Sequence, residues 1–491
     1  MIACTPGAGL PGARSPPDSD SGPTDARRPG SRASASSRRH PLGTAAGIEV
    51  VGAGLAGCEV AWQAASRGVP VRLVEMRPLR SSPAHTTGDF AELVCSNSFR
   101  AAGTGNAVGV LKEEMRRLGS LVMRIADETA VPAGRALAVD RIAFSRRITA
   151  EVESHPLVEV VREERTRLPE APVAVLATGP LTSAPMAAEL QALLGEASLY
   201  FYDAVSPIVY ADSLDSRVAF QASRWEDGPG DYWNLPLDEA AYDAFVDALV
   251  AADTVALHPF EKALYFEGCL PIEEMARRGR LTLAHGPMKP VGLVDPATGQ
   301  RPFAVAQLRH EDKRGVMLNL VGFQTKLRIG DQKRVLRMLP GLGEAVFARF
   351  GSVHRNTYVN APRQLDARLC LRARPGLFLA GQMAGVEGYV ESAALGFIVG
   401  VNAAHAAMGR EAPLPAPVTA HGALLHHLGT ARADDFQPMN VNFGLFPPVG
   451  SDDGRRLRKR ERNERLAARA LAEIERYRDA IGGDATGPGP S

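Results

Sequence analysis

Residues Ile48-Glu49-Val50-Val51-Gly52-Ala53-Gly54-Leu55-Ala56-Gly57-Cys58-Glu59 leave this chain few folds to choose from. An apolar, β-branched run breaks into Gly-x-Gly-x-x-Gly and passes into a helical pattern of Val60, Ala61, Ala64 and Ala65. A second strand pattern, Val71-Arg72-Leu73-Val74, ends on Glu75. Strand, glycine turn, helix, strand and acid is the order a dinucleotide site needs. Gly52 makes the tight turn, Gly54 lets backbone N–H groups approach a pyrophosphate, and Gly57 lets the helix pack on the strand. The helix N-terminus favours the phosphate charge, and Glu75 can accept a bond from a ribose hydroxyl. Glycine-rich turns are common, but here the acid stands 18 residues past Gly57 and both flanking strands are present. Gly52, Ala53, Gly54, Leu55, Ala56, Gly57 and Glu75 are therefore expected cofactor contacts.

The rest of the chain must supply the remainder of an α/β fold. Its 491 residues, 45% hydrophobic and 23% charged, suit a soluble protein of two or three domains with a large core. A formal net charge of +1 points to no class of partner, so a nucleic-acid surface would have to come from local patches. The five cysteines (Cys4, Cys58, Cys95, Cys269 and Cys370) form no Cys-x-x-Cys and no zinc spacing, which fits a reducing, cytoplasmic setting. No apolar run is read as reaching transmembrane length. Residues 1–46, rich in Pro, Gly, Ser and Arg, lack the apolar core of a signal peptide and are expected to be disordered; residues 481–491 are expected to form a second disordered tail.

After Glu75 comes a loop, then Leu93-Val94-Cys95-Ser96-Asn97-Ser98-Phe99-Arg100, then a helix with Val108, Leu111, Met115 and Leu118 on one face. The stretch 157–177 reads as strand and leaves the nucleotide sheet at Ala177-Thr178-Gly179, which makes Gly179 a further cofactor contact. From about 200 to 350 the texture changes to short strands, turns and aromatics, with helical patterns at 238–251 and 331–350. No second clean Gly-x-Gly-x-x-Gly occurs there, so a dedicated nicotinamide domain is unsupported. A late strand, Gly376-Leu377-Phe378-Leu379-Ala380, then leads through Gly381-Gln382 and Gly385-Val386-Glu387-Gly388-Tyr389-Val390-Glu391-Ser392 into a helix of small residues. In two-segment flavin folds such a unit sets a helix N-terminus under the isoalloxazine, where its dipole stabilises reduced flavin. Gly381, Gln382, Gly388, Tyr389, Glu391 and Ser392 are the expected contacts there. The domain reading is residues 47–199 and 352–480 as two parts of one flavin domain, 200–351 as an insertion, and a basic amphipathic helix from Arg455 onward at the end.

The segments Leu93–Arg100, Phe266-Glu267-Gly268-Cys269-Leu270-Pro271-Ile272-Glu273, Gly381-Gln382, Gly385–Tyr389 and the Gln437-to-Gly444 loop together resemble the folate- and FAD-dependent tRNA (uracil-5-)-methyltransferase family (TrmFO). The likeness runs from about residue 48 to about 478, and the tail at 1–46 is the clearest departure. The larger MnmG (GidA) flavoproteins, which modify the wobble uridine, are the nearest relatives. The resemblance implies an α/β fold: a Rossmann-like FAD-binding domain of the GidA and glutathione-reductase type, interrupted by a smaller α/β insertion and closed by a C-terminal helix. It also implies a cytoplasmic enzyme that makes 5-methyluridine in the T-loop of tRNA. Its carbon donor would be 5,10-methylenetetrahydrofolate, its redox carrier FAD and its reductant NADPH or NADH, with no membrane partner. By match of motif, Cys95 and Cys269 would be its two active-site cysteines.

The chemistry wants such residues. Uracil C5 is a poor nucleophile until a soft nucleophile adds at C6, and a cysteine thiolate is the best side chain for that addition. A base must then remove the C5 proton. Cys269 is taken as nucleophile and Cys95 as general base, an order the sequence leaves open; Cys58 and Cys370 are read as structural. A disulfide reductase would want two cysteines close in sequence and a second nucleotide domain, and neither is visible. Wobble-uridine modification and a non-catalytic flavin-containing RNA-binding protein remain as alternatives. For RNA, the run from 309 to 368 offers Arg309, His310, Lys313, Arg314, Lys326, Arg328, Lys333, Arg334, Arg337, Arg349, His354, Arg355, Arg363 and Arg368, interleaved with Phe323 and Tyr358.

Overall fold

A computed structural model describes residues 47–482 except 83, 196–198, 226–229, 256–269 and 451–456. The expected disordered tail at 1–46, Cys4, Cys269 and the rest of Phe266–Gly268, and Arg455 lie outside the described residues.

Two hydrophobic cores organise the chain. The first draws on residues 48–190 and again on 358–481, and at its centre is a five-stranded parallel sheet. Its strands run in the order Leu377–Leu379, Ala174–Leu176, Ile48–Val51, Val71–Glu75, Val158–Arg162. Ile48–Val51 is central and buried throughout, as a strand covered on both faces must be. Its one polar side chain, Glu49, is matched by Arg165 at 2.8 Å. The late strand completes the sheet by pairing Leu377 with Ala174 and Leu379 with Leu176.

The helices Leu55–Ala65 and Tyr389–Ala407 then cross at a seam of small residues. A Cβ at Gly396 would come within 2.5 Å of Ala56 O, so only glycine lets the two backbones meet there. Tyr389–Ala407 is long and apolar enough to cross a membrane, a run that the sequence reading passed over. It is 89% buried inside the protein over that stretch and serves as the core helix of the first half.

The second core takes residues 209–345. An antiparallel six-stranded sheet, ordered Phe220–Gln221, Tyr232–Leu237, Ala304–His310, Met317–Leu320, Ile208–Tyr210, Phe347–Arg349, packs against Glu239–Ala251, Ile272–Arg277 and Ile329–Leu336. A two-stranded ribbon of Leu199–Ala204 and Val353–Tyr358 carries the chain in and out. The fold is thus the α/β class expected, with a parallel nucleotide sheet and a second, mixed half.

Three local expectations need correction. The helix read at 331–350 is Ile329–Leu336; Pro340 and Gly341, the latter at φ +87°, turn the chain into the strand Phe347–Arg349. The strand read over 157–177 is two strands, since Pro169 and Pro172 in the intervening loop cannot donate to a ladder. The final helix is Lys459–Gly482, so residues 481 and 482 belong to it. It docks through Leu466, Ala470, Ile474, Tyr477 and Ile481, a stripe at helical spacing.

Candidate functional site

The glycine turn is built as its spacing requires. Gly52 holds φ +99°, and its N–H donates to Val74 O at 2.7 Å. A Cβ at Gly57 would lie 1.8 Å from Gly52 O, whereas one at Gly54 would meet nothing within 4 Å. The first and third glycines therefore serve packing, and the second opens onto space. Leu55–Ala65 begins there with no side-chain cap and no acid in its first turn, which leaves its leading N–H groups facing a cleft.

Glu75 closes the turn from the next strand. One carboxylate oxygen accepts the Ala53 N–H at 2.7 Å, and the other accepts the Arg77 N–H and Nε at 3.0 and 2.8 Å. Burial works against the charge, but the Arg77 hydrogen bond and cation outweigh it, so the carboxyl is held below its usual range. The oxygen facing Ala53, with one donor, keeps a lone pair for a ligand hydroxyl.

Measured out into its open mouth, the cleft spans about 1050 Å³. Its walls are the fingerprint turn, Glu75 to Arg77, Glu163 to Arg165, Ala177 to Ser183, Ala380 to Gln382, and Tyr389 with Ser392. Of the expected contacts, Gly52, Gly54, Leu55, Ala56, Glu75, Gly179, Gly381, Gln382, Tyr389 and Ser392 line it. Ala53, Gly57, Gly388 and Glu391 do not. Ala53 is sealed behind the turn, its carbonyl accepting the Ala91 N–H at 2.9 Å. Gly57 lies against Gly52. Gly388 opens the late helix at φ +104°, tucked among Arg100, Glu391 and Asn440. The buried Glu391 pairs with Arg100 and accepts the Val441 N–H, fastening the C-terminal loop.

The sequence reading missed Thr178 and Thr182, whose hydroxyls meet at 2.6 Å and reach the Met383 sulfur. Thr178 sits inside the Ala-Thr-Gly break, and that position was its signal.

Cys95 stands at the rim of this cleft, on a loop held at almost every residue. Its own N–H and that of Ser96 donate to the Tyr389 hydroxyl oxygen at 2.7 and 3.2 Å. Arg141 donates to Leu93 O at 2.6 Å and Arg349 to Val94 O at 2.8 Å. Arg309 grips the Asn97 amide oxygen at 2.7 Å, and the Asn97 amide nitrogen donates to Val139 O and His310 O. Arg309 and Arg349 come from the six-stranded sheet, so the thiol lies where the two cores meet. Burial, reinforced by the neighbouring Cys95, pushes the Tyr389 phenol up, keeping it neutral.

Cys58 and Cys370 are different: both are buried, and burial raises both thiols. On the C-terminal side of Cys269, Ile272 N–H donates to Gln324 O at 2.7 Å. The buried Glu273 accepts from Thr325 Oγ1 and Lys326 N–H at 2.8 Å each.

The basic stretch read as one RNA surface divides. Arg309 and Lys326 are buried in polar contacts, and Phe323 and Tyr358 belong to the cores. Arg334, Arg363 and Arg368 pair with Asp331, Asp434 and Glu411. Lys313, Arg314, Arg328 and Lys333 stay exposed.

Residues 47–411 match the family described as "Glucose inhibited division protein A". The chain is 56% identical over 431 residues to the "Methylenetetrahydrofolate--tRNA-(uracil-5-)-methyltransferase TrmFO" of Geobacter sulfurreducens, covering 88% of this chain and 98% of that one. It is 57% identical over 429 residues to the protein of the same name from Desulforudis audaxviator, covering 87% and 97%. Among solved structures it resembles Aquifex aeolicus GidA at TM-score 0.62 and 16% identity, covering 88% of this chain and 74% of that one, a likeness of fold. By these matches the chain belongs to the TrmFO family, within the wider GidA group.

Proposed function

We propose that this protein moves a one-carbon unit from 5,10-methylenetetrahydrofolate to C5 of a uracil in the T-loop of tRNA, with FAD as resident redox group and NADPH or NADH as reductant. The observation that carries the reading is the direct join between the Cys95 loop and the cleft: Tyr389, which lines the cleft, accepts the N–H groups of Cys95 and Ser96. A thiol and a dinucleotide groove thus share one wall.

FAD fits the residues present. The uncapped turn at Gly54–Ala56 would hold the pyrophosphate and Glu75 the ribose, while Gln382, Tyr389 and Ser392 would face the ring. FAD bound there supplies the hydride that turns a carbon at the formaldehyde level into a methyl group.

The chain's own residues do the rest. A thiolate adds to C6, making C5 nucleophilic, and a base later removes the C5 proton so that tetrahydrofolate leaves, the thiolate departing as the methyl group forms. Cys269 is assigned the first task and Cys95 the second. The anchor of the Cys269 motif supports their meeting. Gln324–Lys326 binds the residues that follow it, Thr325 N–H donates to Val205 O, and the neighbouring Ala204 carbonyl lies 4.0 Å from the Cys95 sulfur. Exposed Lys313, Arg314, Arg328 and Lys333 give the RNA backbone its cations.

The test is incubation of unmodified tRNA with methylenetetrahydrofolate and NADPH, followed by nucleoside analysis. 5-Methyluridine in the T-loop is expected. A product at the wobble uridine, or none from flavin-loaded protein, would overturn the reading. A 5-fluorouridine T-loop RNA should form an adduct lost in Cys269→Ala; an adduct surviving there but lost in Cys95→Ala reverses the two roles.

A further inference from the structure

Beside Cys95 stands one cation that this reaction scheme leaves without a task. Arg349 ends the edge strand of the six-stranded sheet, where pairing with Ile208–Tyr210 slips: Phe347 faces Val209, yet Arg349 faces Ile208. A bulge on an edge strand redirects a side chain, and here the guanidinium crosses to the Cys95 loop and donates to Val94 O.

Its neighbours are matched. Arg141 has Glu311 at 2.8 Å, and Arg309 has the Asn97 amide oxygen. Arg349 has a single carbonyl and, among the described residues, no carboxylate in ion-pair contact, Glu311 acting on it only from a distance. None of its remaining nitrogens is sealed from solvent without a partner, so the rest of its donor fork is open. Burial and the like charge of Arg141 both work against this cation, yet a guanidinium stays protonated in proteins. A half-buried, always-charged fork with free donors beside a reactive thiol is built to receive an anionic oxygen.

We infer that Arg349 is a catalytic residue that binds the pyrimidine O4 as that oxygen becomes negative, an inference resting on the methyl-transfer reading above. When the thiolate adds, the S–C6 bond forms, the C5=C6 π pair moves to C4–C5, and the C4=O4 pair moves onto O4. When C5 bonds to the carbon of the folate, the charge on O4 returns to the ring as that C–C bond forms. Removal of the C5 proton then breaks the bond between the carbon and the folate nitrogen, and tetrahydrofolate leaves with that electron pair. Hydride, which reduced FAD would supply, reaches the exocyclic methylene as the S–C6 bond breaks, expelling the thiolate and restoring C5=C6. C4 and C6 both adjoin C5, and the Cys269 thiolate takes the C6 side, which leaves the C4 edge and its O4 to a cation beside the group that takes the C5 proton. That placement holds for Cys95 as base.

The experiment uses the full-length, FAD-loaded enzyme and two tRNAs, one with uridine and one with 4-thiouridine at the target, whose sulfur is a poor acceptor. In Arg349→Gln, FAD content and tRNA affinity should match wild type, while kcat on uridine falls on the order of a hundredfold with little change in KM. Wild type on the thio substrate should show a comparable fall, and Arg349→Gln should add little to it. Arg349→Lys, which keeps a donor for Val94 O, should lose about tenfold on uridine. Losses that multiply across the two substrates would mean that Arg349 only holds Val94, and near-wild-type kcat in Arg349→Gln would equally overturn the inference. Wild type making no 5-methyluridine from uridine tRNA would instead bring down the methyl-transfer reading beneath it.

Discussion

Replacing Glu75 with glutamine changes one oxygen for an NH₂ group, and the structure says what that must break. Glu75 accepts three N–H donors: Ala53 N–H on one oxygen, and Arg77 N–H and Nε on the other. A glutamine with its oxygen toward Arg77 points its NH₂ at the Ala53 N–H, donor against donor. Turned the other way, it opposes Arg77, which is 2% exposed and then has only Glu92, at 3.4 Å. An unsatisfied buried N–H costs about 1–3 kcal/mol, and a buried ion pair that loses one partner costs about 3–5 kcal/mol.

Glu75→Gln should therefore be destabilised by about 3 kcal/mol at pH 7. Because Ala53 lies inside the glycine turn, FAD affinity should drop at least tenfold with it. The pH dependence follows from the sign of the shift. The folded carboxyl is held below its unfolded value, so its contribution is complete above the unfolded pKa and is lost as pH falls through the folded one. The gap between wild type and Glu75→Gln should be wide at pH 7 and narrow steadily below about pH 4.5. Thermal unfolding of the FAD-free proteins across that range, with flavin-fluorescence titration at pH 7, reads both effects. A gap that stays constant down to pH 3, or wild-type FAD affinity in the variant, would refute the reasoning.

Gly57→Ala must place a methyl 1.8 Å from Gly52 O, so it should lose more than about 2 kcal/mol by overpacking, seen in denaturant titration together with weak flavin retention. Brief treatment of native protein with iodoacetamide should label half-buried Cys95 while sparing Cys58 and Cys370, which burial both hides and keeps protonated; peptide mass spectrometry decides it. Glu391→Ala strands Arg100 and frees the Val441 N–H. It should expose the 437–444 loop to proteolysis, and equal cleavage rates in variant and wild type would count against the fastening role.

What could be read from the chain beforehand was whatever local geometry dictates. The three glycines of the fingerprint have distinct duties set by turn and contact, so their spacing carried the site across one sheet edge. The late Gly381–Ser392 unit was legible for the same reason. Burial of charge was not. Arg309, Lys326 and Arg349 look in sequence like members of a solvated basic run, yet two are core donors and the third reaches a backbone carbonyl. Glu391 looks like a cofactor contact because it stands one turn from Gly388, but a helix residue facing away from the cleft meets Arg100 instead. Asn97, Val94 and Arg100 stand more than 200 residues from Arg309, Arg349 and Glu391, and even Glu274 lies on another element from Lys326, so spacing within one segment holds no trace of them.

The same fact explains how a thiol can be both exposed enough to react and fixed enough to be useful. The loop from Leu93 to Asn97 has no secondary structure of its own to hold it until Ser98. Leu93 anchors its start in the first core, and the polar clamps that follow come from other elements: the phenol of the late flavin-half helix, Arg141 of the first half, and Arg309 and Arg349 of the second. Hydrogen bonds to main-chain groups fix the backbone while leaving the Cys95 side chain uncommitted, its sulfur no nearer than 4.0 Å to its closest carbonyl contact. Disturbing either half alone should therefore shift the thiol, because neither half holds the loop without the other.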